Sequence, residues 1–218
     1  PEAFRLPSGV PDGRRVKNRY DIPLVICDRN FDQNGMMVYD SLEMDGLLGD
    51  KNLVNGRVQP YFEVERRKYR FRILNSGISR FHDVWFSNGM TFQYIANDGN
   101  MIPTPMTLQN VKLGVAERAD IVIDFSQLPA STTEIYLVNR AEQVNGRGPT
   151  GNRLPMSQAP KLLKLIIRPA TGVVDNSRVP TTLRQLPEMN LPVARTRNWH
   201  FNRTNGMWTV NGQLFDEN

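Results

Sequence analysis

Residues 52–79, NLVNGRVQPYFEVERRKYRFRILNSGIS, decide the fold class of this chain. Asn55 and Gly56 predict a tight hairpin turn, because both residue types tolerate the positive φ angles that such a turn needs. In YRFRI, residues 69–73, apolar side chains alternate with arginines, and this period of two places the apolar groups on one face of a strand. The stretch therefore predicts a strand, an Asn-Gly turn, a second strand, a basic corner and a third, half-buried strand.

Short apolar segments separated by turn signals recur on both sides of this stretch. Further strands are predicted at residues 22–27, 82–86, 91–96, 107–115, 119–125, 134–139 and 162–168. Strands at such regular spacing indicate an all-β fold, an antiparallel sandwich or a Greek-key barrel. Glu117 and Arg118 occupy a tight corner between two of these strands, where we expect a structural salt bridge or a turn hydrogen bond.

The pattern divides the chain into four parts. Residues 1–20 are rich in Pro, Gly and charge and are predicted to be an incoming linker, and residues 21–169 form the β domain. Residues 170–196 contain several prolines and no periodic run, which indicates a second linker. Residues 197–218 resume the strand pattern, and WTVNGQLF at 208–215 echoes NLVNGRV at 52–58. We expect this last part to be the opening hairpin of a similar domain.

Composition limits the classes of function. The chain has 218 residues, of which 39% are hydrophobic and 22% are charged, so a soluble globular domain with a hydrophobic core is possible without disulfides. No run of 18 apolar residues occurs, so no membrane-spanning segment is predicted. The net charge of +5 permits an anionic partner without requiring one.

The residues that usually bind metals are few and scattered. His82 and His200 are the two histidines, Cys27 is the one cysteine, and no H-x-H or C-x-x-C spacing is present. We expect the two histidines to be ordinary strand residues and Cys27 to be a small core residue. No metal ligand and no catalytic residue is therefore predicted in this chain.

Two basic or glycine-rich segments suggest phosphate binding and are better explained otherwise. The basic corner at residues 66–72 follows two glutamates and lacks aromatic stacking positions on its face, so a solvated strand face is expected and nucleic-acid binding is not. Residues 146–151, GRGPTG, have the glycine spacing of half a phosphate loop. Asn152 and Arg153 stand where Lys and Ser or Thr are needed, so a flexible surface loop is expected.

Several motifs together resemble one known family, and they occur in the family's order from about residue 20 to the end. They are YDIPLVI (20–26) with DR (28–29), GD (49–50), VNGRVQP (54–60), VERRKYRFRILN (64–75), AERADIVIDF (116–125) and WTVNGQLF (208–215). This set is similar to the middle domain of multicopper oxidases, the three-domain branch that includes bilirubin oxidases and spore-coat laccases. The last motif resembles the first hairpin of the third domain.

The resemblance implies a cupredoxin-like Greek-key sandwich that belongs to a copper oxidase. In this family the copper ions are bound by His-x-His and His-Cys-His motifs of the flanking domains, and the sequence contains none of these motifs. The parent protein is expected to oxidise phenolic or tetrapyrrole-type substrates and to reduce dioxygen to water. Its partners would be the flanking copper-binding domains, and neither nucleic acid nor a membrane is expected. The family also suggests a secreted, periplasmic or spore-coat location.

The resemblance further implies that the loop after residue 139 lies near the substrate end of the blue-copper site. Asn139, Arg140, Arg147 and Arg153 are therefore predicted to contact substrate, with a solvent-exposed loop as the alternative. A second hypothesis for the whole chain is a free-standing cupredoxin-like binding or assembly module without redox activity.

Overall fold

A computed structural model describes residues 6–8, 10–11, 16–17, 20–172, 174–187 and 192–214. The chain divides into two units, residues 1–185 and residues 186–218, which are described separately. Most of the predicted incoming linker, residues 1–20, lies outside the described residues, as do Phe215 and the three residues after it. Among the residues described, no helix is long and apolar enough to cross a membrane.

The described residues form strands, with one short 3-10 helix at Phe125–Gln127. The strands are β1 (Val10–Pro11), β2 (Val16–Lys17), β3 (Asp21–Phe31), β4 (Met37–Val38), β5 (Lys51–Val54), β6 (Arg57–Val58), β7 (Tyr61–Glu65), β8 (Lys68–Asn75), β9 (His82–Phe86), β10 (Phe92–Asn97), β11 (Asn100–Leu108), β12 (Asn110–Leu113), β13 (Arg118–Asp124), β14 (Glu134–Asn139), β15 (Lys161–Arg168), β16 (Phe201–Thr204) and β17 (Met207–Val210). The predicted all-β, Greek-key sandwich class is confirmed.

Two sheets build the sandwich of the first unit. The larger sheet has the strand order β11-β10-β13-β8-β3-β5-β6, with β4 paired to β3, and the second has the order β12-β9-β14-β15-β7. Most strand pairs are antiparallel, and the pairs β3–β8 and β7–β15 are parallel, which the sequence pattern did not indicate. Parallel neighbours need a crossover connection, and here the chain enters the opposite sheet as β7 before it returns as β8.

The crossover begins at Gln59, where the strand predicted after the Asn-Gly turn divides into two strands, β6 and β7. Gln59 adopts a φ of 40°, and Pro60 follows it, so the strand expected after the Asn-Gly turn breaks between β6 and β7. Proline has no N–H to donate to a ladder, and the side-chain amide of Gln59 donates instead to the carbonyl oxygen of Lys161 at 3.1 Å. The break sends the chain from one sheet to the other.

The strand β11 was not predicted over most of its length. It contains Pro103 and Pro105, which argue against a central strand. It lies at the edge of the larger sheet, where a strand tolerates proline because one side of its backbone needs no ladder partner. The backbone N–H of Leu183 donates to the carbonyl oxygen of Pro103 at 2.8 Å, so part of this edge is paired.

The alternation predicted for β8 is confirmed. Tyr69, Phe71 and Ile73 are buried in the core between the sheets. Arg70 points to the other face and binds the carboxylate of Asp120 on β13. The period of two therefore places the hydrophobic groups inside and the charged groups in ion pairs outside.

Aromatic rings form the centre of the core. Phe125 is fully buried, and its ring centroid lies 5.6 Å from that of Tyr69, 6.2 Å from that of Phe71 and 6.5 Å from that of Phe86. All three pairs are edge-to-face, an arrangement in which the positive ring edge meets the negative ring face. Because Phe86 belongs to the second sheet and Phe71 to the first, Phe125 joins the two layers.

Part of the predicted second linker contacts the first unit. The carboxylate of Asp175 accepts a hydrogen bond from the backbone N–H of Lys68 at 2.9 Å. Leu183 is buried in a small apolar cluster with Ile95 and Val122. The boundaries of the linker at residues 170–196 stay a prediction.

Asn55 stabilises the first hairpin through contacts on both sides. Its φ is 51°, and Gly56 follows with a φ of 77°. Its side-chain oxygen accepts from the N–H of Val25 at 2.8 Å, its side-chain amide donates to the carbonyl oxygen of Pro23 at 3.0 Å, and its backbone N–H donates to the carbonyl oxygen of Val25 at 2.9 Å. The asparagine thus ties the turn to the neighbouring strand β3.

The second unit repeats this asparagine motif. Asn211 has a φ of 53° and Gly212 a φ of 80°. The side-chain oxygen of Asn211 accepts from the N–H of His200 at 2.9 Å, its amide donates to the carbonyl oxygen of Asn198 at 3.4 Å, and its N–H donates to the carbonyl oxygen of His200 at 2.8 Å. The sequence echo between residues 52–58 and 208–215 therefore corresponds to the same local hydrogen bonding.

Substitution of Phe125 by alanine is expected to reduce the free energy of unfolding by about 3–5 kcal/mol, because it removes a buried ring and leaves a cavity between the sheets. Urea unfolding followed by circular dichroism measures the change. Tyr61→Ala, at an exposed position of β7, is the control and should cost less than about 1 kcal/mol. Equal losses for the two variants would contradict the central role of Phe125.

Candidate functional site

The loop that follows β14 starts from a buried asparagine. The side-chain oxygen of Asn139 accepts hydrogen bonds from the N–H groups of Asp83 at 2.8 Å and Ala141 at 2.9 Å. Its side-chain amide donates to the carbonyl oxygen of Phe81 at 3.2 Å. Asn139 therefore fixes the start of the loop against the first residues of β9, and its side chain is not free to bind a ligand.

The end of the loop is held by a buried carboxylate. The side chain of Asp83 is only 3% exposed. One of its oxygens accepts from Nε of Arg153 at 2.7 Å, and the other accepts from the side-chain amide of Asn110 at 2.6 Å. A buried carboxylate is stable only when it is paired in this way, so Asp83 positions Arg153 at the surface.

Trp85 on β9 lies close to two arginines of the loop. The guanidinium carbon of Arg140 is 4.7 Å from the ring centroid, and that of Arg153 is 5.1 Å from it. Nε of Arg140 also donates to the carbonyl oxygen of Leu154 at 2.8 Å. Both distances fall within the range of cation–π attraction, so the indole orders the two guanidinium groups.

Arg147, the fourth residue predicted to contact substrate, lies in a different part of the loop. Its Nε donates to a carboxylate oxygen of Asp45 at 2.8 Å. The backbones of Gly46 and Gly146 touch next to this pair, since a Cβ atom at Gly146 would lie 2.3 Å from the carbonyl carbon of Gly46. The structure thus groups Asn139, Arg140 and Arg153 and separates Arg147. The loop is hydrogen-bonded at both ends and packed in the middle, and the flexibility expected for residues 146–151 stays a prediction.

The residues of β9 and the loop enclose a cavity of about 60 Å³. It is lined by Phe81, His82, Asp83, Lys112, Ala141, Pro149, Gly151, Asn152 and Arg153. Phe81, Ala141 and Pro149 supply the apolar part of this lining. Lys112 and Arg153 supply positive charge, which only Asp83 opposes among the lining residues.

His82 is a buried neutral histidine. It is 1% exposed, and neither ring nitrogen has a hydrogen-bond partner within the described part of the chain. The pKa of His82 is lowered to about 4, mainly by burial; the carboxylate of Asp28 opposes this shift, and the nearby charge of Arg80 adds to it. The imidazole is therefore uncharged at neutral pH.

Asp28 is itself held in a buried cluster. One oxygen of its carboxylate accepts from Nε of Arg80 and from the N–H of Gly49, both at 2.6 Å. Arg80 also donates to the carbonyl oxygen of Gly49 at 2.9 Å. Gly49 has no room for a side chain, because a Cβ atom there would lie 2.2 Å from the backbone nitrogen of Arg29.

The predicted corner residues make turn contacts. A carboxylate oxygen of Glu117 accepts from the N–H of Gly114 at 2.6 Å. The N–H of Arg118 donates to the carboxylate of Asp98 at 3.0 Å, and its guanidinium donates to the carbonyl oxygen of Ala116 at 2.8 Å. Ala116 adopts a φ of 66°, which these contacts help to maintain.

The family model described as "Multicopper oxidase" matches residues 31–154, more than half of the chain. The chain belongs to the multicopper oxidase family. The match contains β9 and most of the loop that carries Arg140, Arg147 and Arg153, so the arrangement around Trp85 lies within the family domain.

Individual relatives agree with the family. Over 98% of this chain, the sequence is 30% identical to a bilirubin oxidase of Albifimbria verrucaria. Over 82% of this chain, it is 32% identical to a laccase of Bacillus subtilis. Each match covers 36% of the relative, so the chain spans about a third of the length of these curated relatives. The crystal structure of the McoA multicopper oxidase from Aquifex aeolicus superposes with a TM-score of 0.75 and 27% identity, over 89% of this chain and 41% of that one.

The family implies copper, but the donors of this multicopper oxidase chain do not fit a copper site. In the described ranges, no three or more side chains of His, Cys, Asp or Glu cluster in a way that could hold a metal. A blue-copper centre needs two histidines and a cysteine thiolate. Cys27 lies half-buried on β3, His82 is buried on β9, and His200 belongs to the second unit.

Sequence reasoning missed Asp83 and Trp85, which organise the candidate site. One signal was available, because Asp83 stands in a short strand of otherwise apolar and aromatic residues, HDVWF. A carboxylate in a buried strand requires a partner. The identity of that partner, 70 residues further along the chain, could not be read from the pattern.

Stability is expected to fall between pH 6.5 and pH 4 because of His82. Above pH 6.5 the imidazole is neutral in both the folded and the unfolded chain. Below pH 6.5 the imidazole of the unfolded chain binds a proton, whereas that of the folded chain binds it only below about pH 4. The free energy of unfolding therefore falls by up to about 3 kcal/mol. His82→Phe should remove this part of the pH dependence in urea unfolding at pH 7 and pH 4.5.

His200→Gln is the matched control, since His200 is exposed and belongs to the second unit. It should leave the pH dependence of the first unit unchanged. If His82→Phe retained the full decrease in stability between the two pH values, the burial of a neutral imidazole would not be its cause.

Proposed function

We propose that this chain is the copper-free middle-domain segment of a multicopper oxidase. The parent protein takes electrons from phenolic or tetrapyrrole-type substrates and reduces dioxygen to water at copper ions that its flanking domains bind. The observation that carries this proposal is the family match over residues 31–154 in a chain whose described residues offer no copper ligand set. Neither nucleic acid nor a membrane is a proposed partner.

The asparagine motif of the second unit supports the presence of a further domain. Asn55 bonds to the N–H and the carbonyl oxygen of Val25 and to the carbonyl oxygen of Pro23, two positions earlier. Asn211 makes the same three hydrogen bonds to His200 and to Asn198, again two positions earlier. A two-stranded hairpin such as β16–β17 is at best marginally stable by itself. The hairpin therefore favours a role as the beginning of another domain of the same kind, as residues 197–218 were predicted to be.

The relative lengths support the same proposal. The chain covers 36% of the bilirubin oxidase and 36% of the laccase that it resembles. A parent of similar size would have space for a domain on either side of this one. Those domains would carry the metal chemistry, and this segment would hold them in position and contribute surface to the substrate site.

The loop after β14 is the proposed contribution to substrate binding. Arg140 and Arg153 present positive charge beside Trp85, and Asn139 holds the loop in place from within. Arg147 is retained as an exposed cation of the same loop, paired with Asp45. Anionic and phenolic donors are the substrates that such a surface would attract.

The first prediction of this proposal concerns the native material that contains the chain. Its intact mass under denaturing conditions should be well above 24.9 kDa, or copper-bearing fragments should copurify with it. The 218-residue chain alone should show neither blue colour nor oxidase activity after copper is added. Blue colour from the chain alone would overturn the proposal. A lone copper-free species of 24.9 kDa would favour the free-standing module instead.

The second prediction concerns Arg140 in the parent oxidase. Arg140→Gln should lower kcat/KM for an anionic phenolic donor by about threefold to tenfold, mainly through KM, because the loop loses one charge without losing copper. Steady-state kinetics with a copper assay on the same sample measures this. Arg168→Gln removes an exposed charge paired with Glu63 and should leave kcat/KM unchanged. A decrease in kcat alone would contradict a binding role.

A further inference from the structure

The cavity beneath the loop carries a net positive charge and opens to solvent. Its lining includes Lys112 and Arg153 as cations and Asp83 as the one anion, which leaves one net positive charge. Arg140 adds a second guanidinium beside Trp85. The loop also contributes the carboxylate of Glu142, which is not part of the lining and accepts hydrogen bonds from the hydroxyl of Thr150 and the side-chain amide of Asn152.

The anion in the lining is already occupied. Both oxygens of Asp83 accept hydrogen bonds, one from Arg153 and one from Asn110. Among the described residues, Asp83 pairs with Arg153 and makes no ion pair with Lys112. Within the described residues, Lys112 makes no ion pair, and its side chain is exposed at the cavity.

The arginine keeps donors free for a ligand. Arg153 uses Nε to bind Asp83, and its two Nη atoms donate no hydrogen bond to any residue that the structure describes. Its side chain is 43% exposed, so these donors can be reached from solvent. Arg153 and Lys112 line the same cavity, and together they offer the kind of donors that a carboxylate accepts in charge-assisted hydrogen bonds.

The size of the cavity limits the ligand. About 60 Å³ is the volume of roughly two water molecules, which suits a carboxylate group and excludes a whole aromatic ring. Phe81 and Pro149 line the cavity with apolar surface. Such walls lower the local dielectric constant and strengthen the attraction between the cations and an anion.

We propose that this cavity binds a carboxylate group through Lys112 and Arg153. The carboxylate belongs either to a free small acid or to a larger organic donor whose remaining atoms lie outside. The inference rests on the proposed function in one respect: the proposed function identifies the ligand as a reducing substrate of the parent oxidase. Its test needs neither copper nor turnover, so its failure is distinguishable from failure of the oxidase proposal.

Titration of the 218-residue chain with sodium acetate, sodium benzoate and neutral acetamide at constant ionic strength tests the proposal. The backbone amide signals of Gly151 and Asn152 and the indole N–H signal of Trp85 are followed by NMR. Acetate and benzoate should shift these signals with saturation, and acetamide should not. Equal affinities for acetate and benzoate indicate a free small acid, whereas tighter binding of benzoate indicates a carboxylate on a larger donor.

A pair of lysine variants tests the role of charge. Lys112→Gln should weaken carboxylate binding by about threefold to tenfold, because one cation of the cavity is lost. Lys51→Gln removes the same charge from β5, outside the cavity lining, and should leave binding within about twofold. Acetamide shifts equal to those of acetate, signals that do not move with either carboxylate, or equal weakening by the two variants would overturn the proposal. The acetamide comparison needs no variant, so it remains decisive if Lys112→Gln fails to fold.

Discussion

The buried carboxylate of Asp28 supports the middle of the loop after β14, while Asn139 and Asp83 hold the two ends of that loop. It binds Arg80 and the backbone of Gly49, and so it holds the segment after β4 against β3. That segment in turn touches the loop after β14, through the backbone contact of Gly46 with Gly146. Loss of one partner from a buried pair leaves an uncompensated charge in the interior, at a cost of about 3–5 kcal/mol. One buried pair therefore holds the segment after β4, which in turn packs against the loop after β14.

Strand β9 joins the core to the site. Val84 and Phe86 belong to the main core cluster, whereas Asp83 and Trp85 face the loop and its arginines. Since successive side chains of a strand point to opposite faces, five residues are enough to anchor the sandwich on one side and to position two guanidinium groups on the other. The rigid core of the sandwich thus supplies the precision that a surface loop lacks by itself.

Membership of the multicopper oxidase family and the chemistry of this chain are consistent with each other. The described residues contain no copper ligand set, and their charged groups serve mainly to position loops and to cover the core. The repeated asparagine motif shows how one local solution for a hairpin can be used again, since Asn55 and Asn211 solve the same problem of a turn with positive φ. Beside the loop after β14, the indole of Trp85 orders a pair of arginines.

Local sequence determined most of the strands, their buried faces and the asparagine turns, because the period of two and the φ preference of Asn-Gly are properties of neighbouring residues. It also determined which residue types the loop after β14 offers. Only the tertiary structure decided that the chain crosses between sheets at Gln59, that two strand pairs are parallel, and that Arg153 meets a carboxylate 70 residues away. These features depend on packing between segments distant in sequence, which the local pattern does not encode.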